Sequence, residues 1–188
     1  MDVGTGDGHA VLREARRDPE TLVVGVDPVA SAMATAARRA VAKPARGGCS
    51  NAVFVVSAVE GLTLEVAGLA DRVTVNFPWG SLLQGVLGRN RRVLTALAAL
   101  AAPPGLVEVL LSATERDRID LTDEADLRAS YQAAGLEVLE YRLATDDEMV
   151  ASGSSWARRL GAGQRRPVWR VTARPWGGLA TSSARSAT

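Results

Sequence analysis

Short runs of β-branched and apolar residues alternate along this 188-residue chain with longer amphipathic runs. That rhythm predicts strands alternating with helices, and so an α/β fold built on a mostly parallel sheet. Met1–Val3 reads as a truncated first strand and His9–Arg17 as the first helix. Thr21–Val26 is the second strand. Ala30–Ala42 is an alanine-rich helix that stops at Ala42-Lys43-Pro44, because proline cannot continue it. Ala52–Ser57 and Arg72–Phe77 are the third and fourth strands. Arg91–Ala101 is a helix ending at Pro103-Pro104-Gly105, with Leu106–Ser112 the fifth strand. Ala125–Ala134 is a helix closed by Gly135, Leu136–Leu143 the sixth strand, Ser155–Leu160 a helical turn and Pro167–Ala173 the seventh strand. Gly177–Thr188, rich in Gly, Ser, Thr and Ala, reads as disordered. There is no internal repeat. The expected organisation is one domain over residues 1–174 with a disordered tail over 175–188.

Composition narrows the class. Hydrophobic residues make up 47% of the chain, enough for a sizeable core. Apolar runs break well before the ~20 residues that a membrane span needs, and no signal peptide is visible. The expectation is a cytoplasmic protein with no membrane partner, working as a monomer. The one cysteine, Cys49, and the one histidine, His9, leave no intrachain disulfide and no cysteine- or histidine-rich metal site. The net charge of +1 hides an asymmetry: Trp156–Thr188 holds seven arginines and no acid, whereas residues 1–155 hold 15 bases and 21 acids. A basic C-terminal face suits contact with a polyanion; a solvated tail is the plainer reading.

The chemistry begins at residue 2. Asp2-Val3-Gly4-Thr5-Gly6-Asp7-Gly8 is a D-x-G-x-G-x-G loop of the kind that joins the first strand and helix of a Rossmann-like sheet. Its glycines let the backbone turn tightly against a ligand, and its leading acid favours a cationic ligand over a phosphate. The second strand ends in Asp27, 25 positions after Asp2. A carboxylate there can accept from both ribose hydroxyls of a nucleotide, or cap the following helix, or both. Loop and acid together fit S-adenosylmethionine (SAM) or a dinucleotide. After the third strand comes Ser57-Ala58-Val59-Glu60, where Glu60 is either a solvated helix-start acid or a cofactor contact. The fourth strand runs into Asn76-Phe77-Pro78-Trp79-Gly80-Ser81-Leu82-Leu83. Proline and glycine bracket a tryptophan at the carboxyl edge of the sheet, where such folds bind ligands. Trp79 could be core, but its setting suits a flat surface for an extruded base. Ser154-Ser155-Trp156-Ala157-Arg158-Arg159-Leu160 adds an aromatic beside two arginines, the elements of RNA stacking and phosphate neutralisation. Trp169 reads as core or sheet surface.

The glycine loop, Ala42-Lys43-Pro44-Ala45-Arg46-Gly47-Gly48, Pro78-Trp79-Gly80-Ser81-Leu82-Leu83 and Ser155-Trp156-Ala157-Arg158-Arg159-Leu160 occur in this order. Together they resemble the Kam/Npm family of 16S rRNA (adenine-1408-N1)-methyltransferases, which confer aminoglycoside resistance. The resemblance runs from Asp2 to about Arg174. It implies a Rossmann-like class I SAM-dependent methyltransferase with a seven-stranded sheet, acting on the assembled small ribosomal subunit. It further implies that Asp2, Gly4, Gly6, Asp27, Ala58, Glu60, Asn76, Ser81 and Ser155 hold SAM. Trp79 and Trp156 would stack on the flipped adenine, while Lys43, Arg46, Arg158, Arg159, Arg165 and Arg166 would grip rRNA phosphates. The family pattern has a hairpin and a full first strand ahead of the glycine loop, a basic residue where His9 stands, and in some members a longer stretch than Ala113–Asp123. Attack by adenine N1 uses a free lone pair, so the chemistry implied needs no general base. Two other readings remain: a SAM methyltransferase on another RNA or a small molecule, and a non-catalytic rRNA-binding relative.

Overall fold

The computed structural model describes residues 1–62, 66–112, 121–155, 157 and 166–176. Its strands are β1 (Asp2–Val3), β2 (Val23–Asp27), β3 (Ala52–Val56), β4 (Ala70–Asn76), β5 (Ala101–Leu111), β6 (Leu136–Leu143) and β7 (Trp169–Pro175). Its helices are α1 (His9–Arg17), α2 (Ala30–Ala40), α3 (Gly80–Val86), α4 (Arg91–Leu100), α5 (Glu124–Ala133) and α6 (Asp146–Ser152). The strands form one sheet in the order β3-β2-β1-β4-β5-β7-β6. The pairings from β3 to β5 are parallel, and β7 runs antiparallel to both β5 and β6. The expected mostly parallel, seven-stranded Rossmann-like architecture is the one observed. β1 is short but central: Asp2 pairs with Gly25 on one side and Thr74 on the other.

Alternation along the strands decides which side chains reach the core. Val73 and Val75 of β4 join Val107, Val109 and Leu111 of β5 and Leu94 and Leu97 of α4 in the largest apolar cluster. Thr74 and Asn76 therefore point to the opposite face, where both meet Asp2. A second cluster packs Val11, Leu12 and Ala15 of α1 and Ala36 and Ala40 of α2 over Val23 and Ala52. A third, at the carboxyl edge, joins Phe77, Leu110, Met149 and Val168. Trp169 stacks on Tyr141 with ring centroids 5.0 Å apart and packs against the main cluster, one of the two roles its alternation allows.

Several boundaries differ from the sequence reading. β2 starts at Val23, leaving Leu22 exposed. α2 stops at Ala40, two residues short, with Val41 as its C-cap. Pro103 and Pro104 lie inside β5 rather than in a loop. They fall between the Ala70–Ala101 and Arg72–Leu106 pairs, where the register shifts and the ladder asks for no N–H. Two helices were not expected. α3 hides behind Pro78, Gly80 and Gly85, which dilute its helical signal. α6 carries a clear one, a capping box of Thr145 and Glu148, in which the threonine side chain accepts from Glu148 N–H and the glutamate from Thr145 N–H. At the C-terminal end, Trp176 N–H still donates to Gly135 O, so order runs past residue 174. The proposed tail over 177–188, and most of the Ser155–Leu160 turn, lie outside the described residues.

Candidate functional site

The parallel strands all end at one edge of the sheet, and Asp2, Gly4, Gly6, Asp27, Asn76 and Ser155 gather there. Gly4 leaves β1 with φ 75°, and its N–H donates to Val26 O at 2.8 Å. A Cβ at Gly4 would lie 2.6 Å from Leu82 Cδ2. Only glycine lets the loop turn left-handed and come this close to α3. Gly6 N–H donates to Asp27 Oδ2 at 2.9 Å, and Val29 N–H donates to Asp27 Oδ1 at 2.9 Å. Asp27 thus fixes the glycine loop and its own turn while each oxygen retains a second lone pair. It does not N-cap α2; Val29 occupies that position.

Asp2 is the buried charge of the site. Its Oδ1 accepts from Thr74 Oγ1 at 2.9 Å and from Asn76 Nδ2 at 3.4 Å. No lysine or arginine pairs with it among the described residues. Burial pushes its carboxyl above the ordinary aspartate value, against the nearby Thr5 hydroxyl, these hydrogen bonds and the charge of the N-terminal ammonium. Thr5 Oγ1 is itself buried; it lies close enough to the Asp2 carboxylate to favour its charge but meets no partner at full hydrogen-bond geometry. A crevice runs from Asp2, Gly4, Thr5 and Asp7 to Asn76 and, on the far wall, Ser154 and Ser155. A buried carboxylate that burial still holds above its ordinary value, with no lysine or arginine partner among the described residues, suits a ligand that carries positive charge.

Beside the crevice the chain is strained on purpose. Phe77, not a glycine, has φ 52°, an arrangement that costs on the order of 1–3 kcal/mol. Its N–H donates to Leu110 O at 2.7 Å and its ring is buried in the third cluster. Anchored there, the chain turns through Pro78 and presents Trp79 with 47% of its surface exposed. The core reading of Trp79 is set aside by that exposure. Ser81 follows in the first turn of α3 and is exposed. Ala58 and Glu60 sit in a 3₁₀ turn after β3. Glu60 is exposed and borders a groove against α4, beside Arg91 and Arg92, instead of the Asp2 crevice.

A sequence model of the family NpmA, described as 16S rRNA (adenine(1408)-N(1))-methyltransferase, matches residues 1–174. The chain belongs to this family. It is 32% identical over 185 residues to an Escherichia coli 16S rRNA (adenine(1408)-N(1))-methyltransferase, covering 92% of this chain and 84% of that one. A Streptoalloteichus hindustanus protein of the same name is 33% identical over 177 residues, 88% and 81% of the two chains. Among solved structures, a mutant 16S rRNA (adenine(1408)-N(1))-methyltransferase from Catenulisporales acidiphilia with cosubstrate SAM superposes with TM-score 0.83 at 38% identity. It covers 94% of this chain and 85% of that one. The aminoglycoside resistance methyltransferase NpmB1 gives TM-score 0.78 at 36% identity over 93% and 85%.

As an NpmA-family methyltransferase, the chain places its expected RNA contacts unevenly. Lys43 N-caps, and Arg46 ends, a 3₁₀ turn, Pro44–Arg46, between α2 and β3. That turn lies at the amino edge of the sheet, one strand length from the crevice, on the order of 17 Å for a five-residue strand. Arg166 is half-buried just ahead of β7. Trp156, Arg158, Arg159 and Arg165 lie outside the described residues. Thr5, Thr74 and α6 were missed from sequence; only α6, with its Thr145–Glu148 box, had a local signal. No helix among the described residues is long and apolar enough to cross a membrane.

Glu148 ties α6 to the sheet. It accepts from Arg142 Nη1 at 2.9 Å and Nη2 at 2.7 Å, and Arg170 Nη1 lies 3.3 Å away. The Arg142 hydrogen bonds hold its carboxyl at about 2, against partial burial. Because the folded value is depressed, the stabilisation is complete above the ordinary glutamate value and drains as pH falls from there toward about 2. Melting temperature measured against pH is expected to fall more steeply across that window in the unaltered protein than in Glu148→Gln. Parallel curves would show that Glu148 contributes nothing there.

Proposed function

We propose that this NpmA-family methyltransferase transfers a methyl group from SAM to N1 of adenine 1408 in the decoding site of the small ribosomal subunit, giving aminoglycoside resistance. The observation that carries the reading is the pairing of a buried Asp2 carboxylate, with no lysine or arginine partner among the described residues, with a half-exposed Trp79 just past the end of the adjoining strand β4. One takes a cation and the other a flat aromatic. Asp2, Gly4, Gly6, Asp27, Asn76, Ser81 and Ser155, with Ala58 and Glu60 of the third strand loop, would hold SAM, which supplies an electrophilic methyl group. Thr5, which lines the same crevice beside Asp2, would join them.

The remaining work belongs to the protein. Adenine N1 has a free lone pair once the base is out of its pairing, so no side chain need remove a proton. The chain has to position and exclude. Trp79, with Trp156, would hold the base flat and favour the positive charge that grows on it. Lys43, Arg46, Arg158, Arg159, Arg165 and Arg166 would neutralise rRNA phosphates and offset the few kcal/mol that flipping costs. The separation of Lys43 and Arg46 from the crevice favours a large, shaped substrate, the assembled subunit, over a free nucleoside. We take residues 1–174 as one functional unit, acting as a cytoplasmic monomer.

The test is a primer-extension stop at A1408 after incubation with SAM, compared across intact small subunits, naked 16S rRNA and tRNA. The expected result is a stop on intact subunits. A stop on none of them, or methylation of tRNA alone, would overturn the assignment.

A further inference from the structure

We infer that Arg13 is a positioning residue that holds the far wall of the cofactor crevice in place; the inference rests on the SAM reading above. Ser154 and Ser155 line the crevice directly after α6 ends at Ser152. The contact that fixes this end is Arg13. Its Nη1 donates to Val150 O at 3.3 Å and its Nη2 donates to Ala151 O. A guanidinium at the carbonyl end of a helix satisfies groups that the helix leaves unpaired and meets the negative end of its dipole. Two residues later Gly153 turns the chain with φ 63°, its N–H on Val150 O at 3.2 Å, and delivers Ser154 and Ser155.

α6 is thus pinned at both ends. Glu148 holds its first turn to Arg142 and Arg170 on the sheet. Arg13 holds its last turn to the helix that the glycine loop itself starts, since Gly8 is the N-cap of α1. One helix therefore carries both walls of the crevice: the glycine loop directly at its amino end, and Ser154–Ser155 through Arg13. The contact is solvent-exposed, so global stability gains little from it. What it fixes is the width of the crevice. Gly153 belongs to the same device, because a Cβ there would fall inside contact distance of the Arg13 guanidinium. The guanidinium is the end of a flexible side chain and can move aside, but only by releasing α6.

The experiment is titration calorimetry of the purified protein with SAM, alongside thermal melting without it. Arg13→Ala is expected to weaken SAM binding roughly tenfold, the size of a lost charged hydrogen bond, with little change in melting temperature. Arg13→Lys, which keeps the charge and one donor, should lie between. Gly153→Ala should weaken SAM binding as Arg13→Ala does and also lower the melting temperature, because a φ of 63° strains any residue but glycine; the double variant should bind SAM no more weakly than the worse single one. A merely structural role would instead lower the melting temperature of Arg13→Ala and Arg13→Lys in proportion to their binding losses. SAM affinity of Arg13→Ala equal to the unaltered protein, or additive losses in the double variant, would overturn the inference. Absence of SAM binding by the unaltered protein would instead defeat the cofactor reading, and the inference with it.

Discussion

Asp2→Asn is expected to abolish measurable methylation while leaving the ligand-free protein as stable as before or slightly more so. The two effects have one cause. Burial disfavours the Asp2 carboxylate, and no side-chain cation among the described residues offsets it. An amide of the same shape removes the buried charge and keeps an acceptor for the Thr74 hydroxyl, which lies 2.9 Å from Oδ1. Because the folded carboxyl titrates above its unfolded value, the native state loses stability as pH rises through that interval; the amide does not. A cationic ligand meets the opposite balance. It supplies the missing counter-charge, and removing one partner of a buried charge pair costs about 2–5 kcal/mol, or roughly 30-fold to several thousandfold in affinity. Calorimetry with SAM and a thermal melt without it measure both quantities. SAM should also bind more weakly as pH falls into the raised titration range of Asp2. Unchanged affinity in Asp2→Asn would remove the carboxylate from the cofactor site.

The site was legible where a single residue type carries the geometry. Gly4 must be glycine because of its φ and because Leu82 leaves no room, so the loop announces itself in sequence. Asp27 announces itself through its place at a strand tip. The sequence cannot show in the same way what depends on which strands lie side by side. Thr74 matters because β4 is the neighbour of β1, and nothing in its local pattern says so. The antiparallel direction of β7 is equally silent, since alternation reads the same both ways. Arg13 sits on an unremarkable amphipathic helix, and its partners are 137 and 138 residues away. Glu60 likewise depends on packing: its position after β3 suggests a cofactor contact, and its side chain borders the α4 groove. α6 is a different kind of miss, because Thr145 and Glu148 spell a capping box in plain sequence. α3 was obscured by its own function. Pro78 and Gly80 break the helical pattern because they serve the turn that presents Trp79.

That turn leads to the second large effect. Trp79→Ala is expected to lower kcat/KM on small subunits by the value of one base–aromatic stack, about 1–3 kcal/mol, or roughly 5- to 150-fold. SAM affinity and melting temperature should stay close to those of the unaltered protein. The separation follows from what holds each part. The strained Phe77 is anchored through Leu110, Met149 and Val168, so the turn survives loss of the half-exposed indole. The Asp2 crevice is lined by β1, the glycine loop, α1, Asn76 of β4 and Ser154–Ser155, and Trp79 is not among its lining residues. Trp79→Phe keeps a π face and should recover part of the loss, whereas Trp79→Leu keeps bulk without one and should not. A core role for Trp79 would give the opposite ranking, with leucine tolerated and the melting temperature falling in alanine. Equal activity in all three variants would show that the target base does not rest on this ring.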